Sequence, residues 1–399
     1  MSEAPRIDHI GVRIRYWRRR RNGMSQVVLA GLAGVTQSYI SHVEAGRKGI
    51  ERRSTLVAIA AALQVSMADL LDQPGEATDP AYQRASAVVP QLRVRLAQIA
   101  EEDIEPARRG VEEMDATLAE LARLRADARY GDMAVALPGI LRDAASYGGR
   151  YLARVGYDVG DVLKNLGYRD LALSAARIAV DGALAAEDPA WIGATRYFYS
   201  LALPMEAPKL SGKVATKALA ELQTDAAEPR ARQMLGQLHL AAALASAVDR
   251  RADDAAAHLT EATREGRSLG DPEDGTGFNL MCFGPTNIGL WRMAVAGELA
   301  EQGRVIEIAR QVNPSRLQIA DRHYAYWTSL GRALAVGGKA DREALVAFIN
   351  AERAVPVAFS RNQAVRDSVV SMVLRARRRS VSRDLRVLAR RLGIEVPTT

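Results

Sequence analysis

The sequence predicts an all-α protein, with five short N-terminal helices followed by a longer superhelix of stacked helical hairpins. Alanine and leucine dominate the apolar residues, and aromatic residues make up only 5% of the 399-residue chain. Alanine and leucine favour helices, whereas aromatic and β-branched residues favour strands. Apolar residues recur at helical spacing, and paired helical stretches repeat along the C-terminal two thirds.

The first three helices are predicted from apolar spacing and from the residues that begin and end them. Residues 7–21 place apolar side chains on one helical face, and the Asn-Gly pair at 22–23 ends this helix. Ser25 and Thr36 are expected to be the N-caps of the second and third helices, because their side-chain oxygens can accept a hydrogen bond from a free backbone N–H. The third helix is expected to run to about residue 44.

Two further helices complete the N-terminal group. Ser54 is expected to cap a fourth helix, and Ser66 is expected to cap a fifth with the sequence MADLL. Residues 72–80, DQPGEATDP, predict a linker. Residues 81–128 predict connecting helices that are interrupted at the two prolines, Pro90 and Pro106.

Helical hairpins are predicted from about residue 130 onward. Each unit is a helix, a short turn such as LGYRD or GGKAD, and a second helix, and a repeat of this length indicates stacked hairpins. The basic tail, residues 375–393, is expected to be a last, capping helix. The predicted domains are therefore 1–73, 74–129 for the linker and connecting helices, and 130–399 for the repeats. The four clearest hairpins are 152–189, 234–272, 291–314 and 324–356.

Composition argues against catalysis, a metal centre and a membrane segment. Cys282 is the only cysteine, which indicates a reducing compartment. The five histidines are dispersed, and no two of them have metal-ligand spacing in the sequence. No catalytic or phosphate-binding motif is found, and no apolar run approaches a spanning helix. We therefore expect a non-enzymatic cytoplasmic protein, associated with the nucleoid, that needs no cofactor or metal.

Positive charge is concentrated at the N-terminal end. Residues 1–73 hold eleven Arg and Lys against six Asp and Glu, which is +5 of the total net charge of +7. A small basic domain on a nearly neutral body suits a module that binds a polyanion. A solvated basic helix would explain the charge equally well.

The stretch SQVVLAGLAGVTQSYISHVEAG, residues 25–46, has the order of a helix-turn-helix. Ala30 is small where the second helix crosses the third, and Gly34 can adopt positive φ at the turn. The start and exposed face of the third helix would enter the major groove, whereas nearby polar groups would contact phosphates. The expected groove contacts are Thr36, Gln37, Ser38, Tyr39, Ser41 and His42, and the expected phosphate contacts are Gln26, Arg47 and Lys48.

This stretch resembles the phage-repressor/Cro (XRE-type) DNA-binding family. The resemblance covers residues 7–72 and implies a double-stranded DNA partner, with phosphate contact by Gln26 and base or phosphate contact by Gln37, Ser38, Tyr39 and His42. Val27 and Val28 depart from the family, which usually has polar residues there, and they predict an additional contact surface. His42 also departs from it, because a longer polar side chain is common there, and this leaves the base preference open. Partial packing of Tyr39 and a solvated His42 are the alternatives to groove contact. Glu44 is expected to be a structural hydrogen-bonding partner.

The repeat region resembles tetratricopeptide repeats in degenerate form. Together with the N-terminal domain it is similar to the RRNPP group and to actinobacterial XRE regulators with repeats. That resemblance implies a homodimer and a signalling peptide or small-molecule effector. Residues 273–291 are the least repeat-like and could form a loop that lines a ligand pocket, or an irregular connection packed on the core. The candidate ligand-binding residues are Asn165, Arg196, Tyr197, Phe278, Asn279, Asn287, Arg292, Arg322 and Tyr324.

The sequence thus predicts a sequence-specific transcriptional regulator whose repeat domain dimerises and responds to a signal. The alternative is an interaction scaffold that the N-terminal domain tethers to DNA while the repeats bind a protein partner.

Overall fold

The computed structural model describes residues 9–21, 23–71, 80–225, 227–376 and 381–394. Helices and turns make up these residues, without a β-strand among them, which confirms the all-α prediction. Within the same part of the chain, no helix has the length and apolar character needed to cross a membrane. Residues 72–79 of the predicted linker and residues 7–8 and 22 of the first predicted helix lie outside the described residues.

Five helices form the N-terminal group, as predicted. Ser25 and Thr36 are the N-caps of α2 and α3: Ser25 Oγ accepts a hydrogen bond from Val28 N at 3.2 Å, and Thr36 Oγ1 accepts one from Tyr39 N at 3.1 Å. The five are α1 (Ile10–Arg20), α2 (Gln26–Leu32), α3 (Gln37–Glu44), α4 (Arg53–Leu63) and α5 (Met67–Leu71).

The prediction that Ser54 caps the fourth helix was wrong. The N-cap of α4 is Arg52, and no side chain of its own caps the helix. The backbone N–H of Arg53 instead donates to a carboxylate oxygen of Glu298 at 3.0 Å, and the Arg53 side chain is ion-paired with the same carboxylate at 3.0 Å. A residue distant in the sequence therefore satisfies the free end of α4, which no local cap signal could reveal.

The connecting helices break at the two predicted prolines. Pro90 lies in the first turn of α7, where its missing N–H is not needed, and Pro106 lies in the gap between α7 and α8. The helices of this region are α6 (Pro80–Ala87), α7 (Val89–Ala100), α8 (Val111–Ala126) and α9 (Tyr130–Tyr147).

Helical hairpins follow at all four predicted positions. The first, α10–α11, packs closely because its facing residues are small: a Cβ on Gly156 would lie 3.0 Å from Ala179 N, and one on Gly182 would lie 2.7 Å from Ala153 N. The helices are α10 (Gly149–Asn165), α11 (Arg169–Ala185), α12 (Pro189–Ala202), α13 (Pro208–Leu222), α14 (Pro229–Val248), α15 (Ala252–Leu269), α16 (Pro285–Glu298), α17 (Gln302–Ala309), α18 (Ala320–Ala335), α19 (Asp341–Ala354), α20 (Pro356–Ser360), α21 (Gln363–Ala376) and α22 (Arg383–Arg391).

The chain divides into two compact units, and each combines segments that are distant in the sequence. The first unit comprises Met1–Glu76, Met293–Gln311 and Tyr324–Thr399, and the second comprises Ala77–Arg292 and Val312–His323. These units do not coincide with the sequence-based domain boundaries at residues 73 and 129, which rest on motifs and repeats and stay a prediction.

In the first unit the N-terminal helices pack directly on C-terminal ones. Asp367 of α21 accepts a hydrogen bond from Ile10 N at 3.3 Å, and the Ser371 hydroxyl donates to Gly46 O at 3.0 Å. Arg332 of α18 donates to the carbonyl oxygen of Glu51 at 2.9 Å. The N-terminal helices are thus packed into this unit and do not form a separately folded domain.

The C-terminal helices close the first unit. Phe348 and Phe359 are fully buried among valines of α21, and α22 contributes Leu385 and Leu388 to the same cluster. The single capping helix predicted at 375–393 was wrong in extent: residues 375–376 end α21, Ser382 caps a separate helix, α22, and residues 377–380 lie outside the described residues.

Candidate nucleic-acid interface and interior polar cluster

The turn between α2 and α3 has the geometry that the sequence predicts. Gly34 has a φ of 64°, a value that favours glycine, and Val35 N donates to Ala30 O at 3.0 Å. Ala30 is buried where α2 meets the other helices, together with Ile40 of α3. Gly11 of α1 lies so close to α3 that a Cβ would be 1.8 Å from Val43 O. The position of α3 is therefore determined from two sides.

Glu44, the last residue of α3, is the centre of a buried hydrogen-bond network. Its carboxylate accepts hydrogen bonds from Arg18 at 2.6 and 2.8 Å and from Arg15 at 3.4 Å. Burial by itself raises the pKa of Glu44, but the hydrogen bonds from Arg18 and Gln26 and the charges of Arg18 and Arg15 outweigh it and lower the pKa. This confirms the prediction that Glu44 is a structural partner, and it ties α3 to α1.

The same network reaches the start of α3. Gln26 Nε2 donates to Glu44 Oε2 at 2.9 Å, and Gln37 Nε2 donates to Gln26 Oε1 at 2.9 Å. The side chain of Gln37 is thus oriented by Gln26, which is itself fixed by a buried carboxylate. Gln37 remains exposed to solvent.

The predicted groove residues differ in their exposure. Thr36, Gln37, Ser38 and His42 are exposed, whereas Ser41 is half-buried. These exposed groups lie at the N-cap of α3 and on the helix as far as His42.

The side chain of Tyr39 packs against the protein and does not project fully into solvent. It is half-buried, with the Lys48 ammonium 5.1 Å from the centre of its ring. Burial, with a smaller contribution from the charge of Glu51, raises the pKa of Tyr39. The packing that the sequence offered as the alternative is therefore present, and Tyr39 presents only part of its surface to a groove.

The arginines of α1 are largely used within the protein. Besides Arg15 and Arg18, Arg13 donates to Leu70 O at 3.3 Å, and Arg21 donates to Leu63 O at 2.7 Å. The charge count of this region therefore overstates the number of cations free to meet a polyanion. Arg47, after α3, is exposed, and Lys48 beside it is ion-paired with Glu51 at 3.4 Å.

The described geometry agrees with a family comparison. Residues 9–73 match a family model whose description is helix-turn-helix domain. The N-terminal segment is a helix-turn-helix domain. This match supports a DNA-binding regulator. The chain has no match among the curated proteins or the solved structures.

The helix-turn-helix domain also exposes apolar side chains on α2. Val27, Val28 and Leu32 have exposed fractions of 66%, 51% and 62%. The first two are among the residues at which the sequence departs from its family resemblance.

Four of the predicted ligand-binding residues come together inside the second unit. Arg322 and Asn287 both donate to Met281 O, at 3.2 and 3.1 Å. Asn287 also donates to Gln237 Oε1 at 3.3 Å, and Gln237 Nε2 donates to the hydroxyl of Tyr197 at 3.0 Å. Asn279 is the fourth, and its backbone and side-chain oxygens accept hydrogen bonds from buried Arg125.

The remaining predicted ligand residues do not belong to this hydrogen-bond chain. Asn165 donates to Asp161 O at 3.0 Å at the end of its own helix, and Phe278 packs edge-on against Trp191. Arg196 faces Glu221 at 4.0 Å, and Arg292 is a half-buried residue of α16. Tyr324 belongs to the first unit, where it accepts a hydrogen bond from Asn362 at 2.8 Å.

The loop expected over residues 273–291 is shorter than predicted. Asn287 and Trp291 lie on α16, which begins at Pro285, and Phe278–Leu280 forms a 3-10 turn. The proline in the first helical position, rather than the glycines around it, marks this helix start. Asn279 has a φ of 48° and its side-chain oxygen accepts a hydrogen bond from buried Arg125.

Sequence reasoning missed the charged members of the interior cluster. Arg125 is ion-paired with Asp158, and Lys164 is ion-paired with Asp161 at 2.6 Å. Asp158 and Asp161 interrupt an otherwise apolar helical face of α10, with exposed fractions of 2% and 7%. That interruption was the available signal, since buried carboxylates require partners.

Histidines dispersed in the sequence also meet in the fold. His239 of α14 and His258 of α15 have their Nδ1 atoms 3.0 Å apart. Burial and then the charge of His258 lower the pKa of His239 to about 4. Among the described residues, no third His, Cys, Asp or Glu completes a metal-binding group with them.

Proposed function

We propose that this protein is a sequence-specific DNA-binding regulator whose α3 reads base edges in the major groove. The observation that carries the proposal is the exposed polar surface of α3, held from behind by Glu44. A reading helix must present its side chains in fixed orientations, and buried support provides this. The match to the helix-turn-helix family points the same way.

Gln37 is the residue best placed to distinguish a base. One N–H of its amide is donated to Gln26, which leaves the other N–H and the amide oxygen available. A glutamine can donate to N7 and accept from the N6 amino group of adenine. Gln37 can make both contacts without losing its support. Ser38 and His42, exposed on the same helix, would contact neighbouring bases.

Phosphate contacts would come from the edges of this surface. Gln26 lies at the first position of α2, and Arg47 is exposed just after the end of α3. Such contacts set the register of a protein on DNA without reading its sequence. Lys48 can contribute in the same way, although it is shared with Glu51 and Tyr39.

A homodimer is part of the proposal. One recognition helix covers only a few base pairs, and a two-fold dimer would read two half-sites about one helical turn apart. Sedimentation of the purified protein at micromolar concentration tests this. A dimer that binds a palindromic duplex is expected, and a monomer with and without DNA would contradict it.

The second unit is proposed to respond to a small effector. Its interior contains side chains that converge on Met281 O and are incompletely hydrogen-bonded, which is typical of a ligand site and unusual for a structural core. An effector acts only if it prefers one of two conformations of the protein.

Base reading and phosphate contact can be separated by experiment. Duplexes bound by the protein are selected from a random pool, and binding is then titrated across salt concentrations. Gln37→Ala should relax the preference at one position, whereas Arg47→Ala should weaken binding to every sequence and reduce the salt slope by about 1. Gln91→Ala, an exposed glutamine of α7, is the matched control. Equal loss on all sequences for Gln37→Ala would contradict base reading.

A further inference from the structure

In the interior cluster of the second unit, Arg322 is a cation that forms no ion pair with a carboxylate among the described residues. Arg125 is paired with Asp158, and Lys164 is paired with Asp161. The third carboxylate nearby, Asp321, accepts a hydrogen bond from the Tyr130 hydroxyl. Arg322 has no carboxylate oxygen within ion-pair distance among the described residues.

Arg322 is also short of hydrogen-bond acceptors. Its Nη2 donates to Met281 O at 3.2 Å, but its buried Nε has no acceptor among the described residues. A guanidinium offers five N–H donors, and burying an unpaired charge is strongly unfavourable. Native proteins satisfy such a group with a partner, a water molecule or a ligand.

The neighbours of Arg322 are polar groups with unused capacity. The Tyr197 hydroxyl accepts from Gln237 and, within the described residues, donates its own proton to no acceptor. Asn287 is fully buried, and its Oδ1 likewise has no donor. Both residues belong to the same hydrogen-bond chain, which runs from Arg322 through Met281 O and Asn287 to Gln237 and Tyr197.

Aromatic rings lie beside this chain. Trp291 lies edge-on to Tyr197 with ring centres 6.1 Å apart, and Tyr157 packs on Phe198 with ring centres 4.7 Å apart. A few convergent polar groups in an apolar, aromatic setting are the usual composition of a small-molecule site. A guanidinium whose Nε is open can donate to a carboxylate oxygen, and its planar geometry matches that of a carboxylate.

We propose that Arg322 binds the carboxylate of a small organic anion, with the Tyr197 hydroxyl donating to the same carboxylate and Asn287 Oδ1 accepting a hydrogen bond from a hydroxyl or amino group of the ligand. The ligand places a negative charge against the Arg322 guanidinium. It also satisfies the hydrogen-bonding groups that the protein leaves open. This inference rests on the proposed effector response and specifies its chemistry.

Formate is a suitable probe, because as the smallest carboxylate it tests the anion site whatever the body of the natural ligand. The full-length protein is heated in sodium formate and in sodium chloride of equal ionic strength. We expect formate at about tenfold its Kd to raise the unfolding temperature by about 2–4 °C relative to chloride. Arg322→Gln should abolish the difference, and Arg292→Gln, a matched arginine of α16, should retain it.

Tyr197→Phe is the second variant, because it removes only a hydroxyl and keeps the packing of the ring. It should fold like the wild type by circular dichroism and should lose about half of the formate effect. Absence of a formate effect in the wild type, or an unchanged effect in both Arg322→Gln and Tyr197→Phe, would overturn the proposal.

Two further experiments identify the source of the carboxylate and test whether its binding changes DNA affinity. A trialanine peptide with a free C-terminus is compared with formate and with the same peptide carrying a C-terminal amide. If only the free peptide stabilises the protein more than formate does, the natural ligand's carboxylate is the C-terminus of a peptide. Any other result assigns the carboxylate to a free metabolite. DNA affinity is then measured with and without the stabilising probe. If the probe stabilises the protein but leaves its DNA affinity unchanged, the anion site stands and the effector response is contradicted. If the protein reads DNA but no probe stabilises it, only the anion site is contradicted.

Discussion

At the residue scale, Glu44 shows how a single buried carboxylate can support a recognition surface. It is 2% exposed, and it joins Arg18 and Arg15 of α1 to Gln26 of α2. Because Gln26 in turn orients Gln37, the carboxylate acts on the proposed DNA-facing surface without touching it. Its removal should therefore affect both stability and sequence preference.

Glu44→Ala should lower the free energy of unfolding by about 3 kcal/mol, because it leaves Arg18 and Gln26 without their acceptor. Chemical denaturation of the full chain measures this. Glu51→Ala is the control, since its ion pair with Lys48 is partly exposed and should be worth less than about 1 kcal/mol. Equal effects of the two substitutions would contradict the structural role of Glu44.

Asp367 gives the first unit a dependence on pH. Burial raises its pKa from 3.8 to about 6, although hydrogen bonds from Gln363 and Ile10 N oppose the shift. A carboxyl group that binds its proton more tightly when folded contributes stability below pH 3.8, and this contribution is lost as the pH rises through about 6.

Asp367→Asn should therefore become more stable than the wild type as the pH rises from 4 to 7, by up to about 2–3 kcal/mol. Asparagine keeps an oxygen that can accept from Ile10 N and Gln363. Denaturant unfolding of both proteins at intervals across this range measures the difference. Asp341→Asn, which removes a carboxylate ion-paired with Arg375 at 2.6 Å, is the control. A difference between wild type and Asp367→Asn that does not change with pH would contradict the account.

At the element scale, α4 depends on a partner far away in the sequence. Its first free N–H is satisfied by Glu298 of α16 rather than by a residue of its own cap. Arg52 adds a hydrogen bond from its side chain to Leu299 O at 2.9 Å. The helix-turn-helix domain and α16 are thereby joined at a helix end, where capping contributes most.

Glu298→Ala should destabilise α4 by about 1–2 kcal/mol, as expected for loss of a cap together with its ion pair. Hydrogen exchange at the first-turn amides of α4 should be faster, while the amides of α10 should be unchanged. Glu301→Ala, an exposed glutamate of the same region, serves as control. Unchanged exchange in α4 would show that Glu298 does not cap it.

Local signals in the sequence predicted the elements well. Ser25, Gly34, Thr36 and the prolines each act within a few residues, so their effects can be read from a short stretch. The Glu298 cap could not be predicted in this way, because it depends on the tertiary fold. The start of α16 was missed because glycines around residue 280 suggested a loop while Pro285 already began a helix.

The candidate sites were predictable to different degrees for the same reason. The helix-turn-helix is a contiguous motif, so its exposed face follows from helical spacing. The interior cluster draws residues from α8, α10, α12, α14, α16 and α18, and only folding brings them together. Tyr197, Asn279, Asn287 and Arg322 were found as amide, aromatic and cationic residues, whereas Arg125 and Gln237 carried no local signal.

At the scale of the whole molecule, the two ends of the chain share a compact unit. The helix-turn-helix domain relies on residues of α16, α18 and α21 for hydrogen bonds to its backbone. Removal of residues 324–399 should therefore destabilise the domain and reduce DNA binding at least tenfold, although every predicted DNA-contacting residue remains. Far-UV circular dichroism and DNA titration of the truncated protein measure this. A truncated chain that binds DNA like the full chain would show that the domain is independent.

The most direct test of the central claim is genome-wide DNA binding by the wild type beside a Gln37→Ala, Ser38→Ala double variant. Both residues are exposed on α3, so the variant should fold normally and keep its salt-dependent, nonspecific affinity. We predict discrete palindromic sites for the wild type and their loss in the variant. Weak binding at all positions, unchanged by the two substitutions, would contradict base reading by α3.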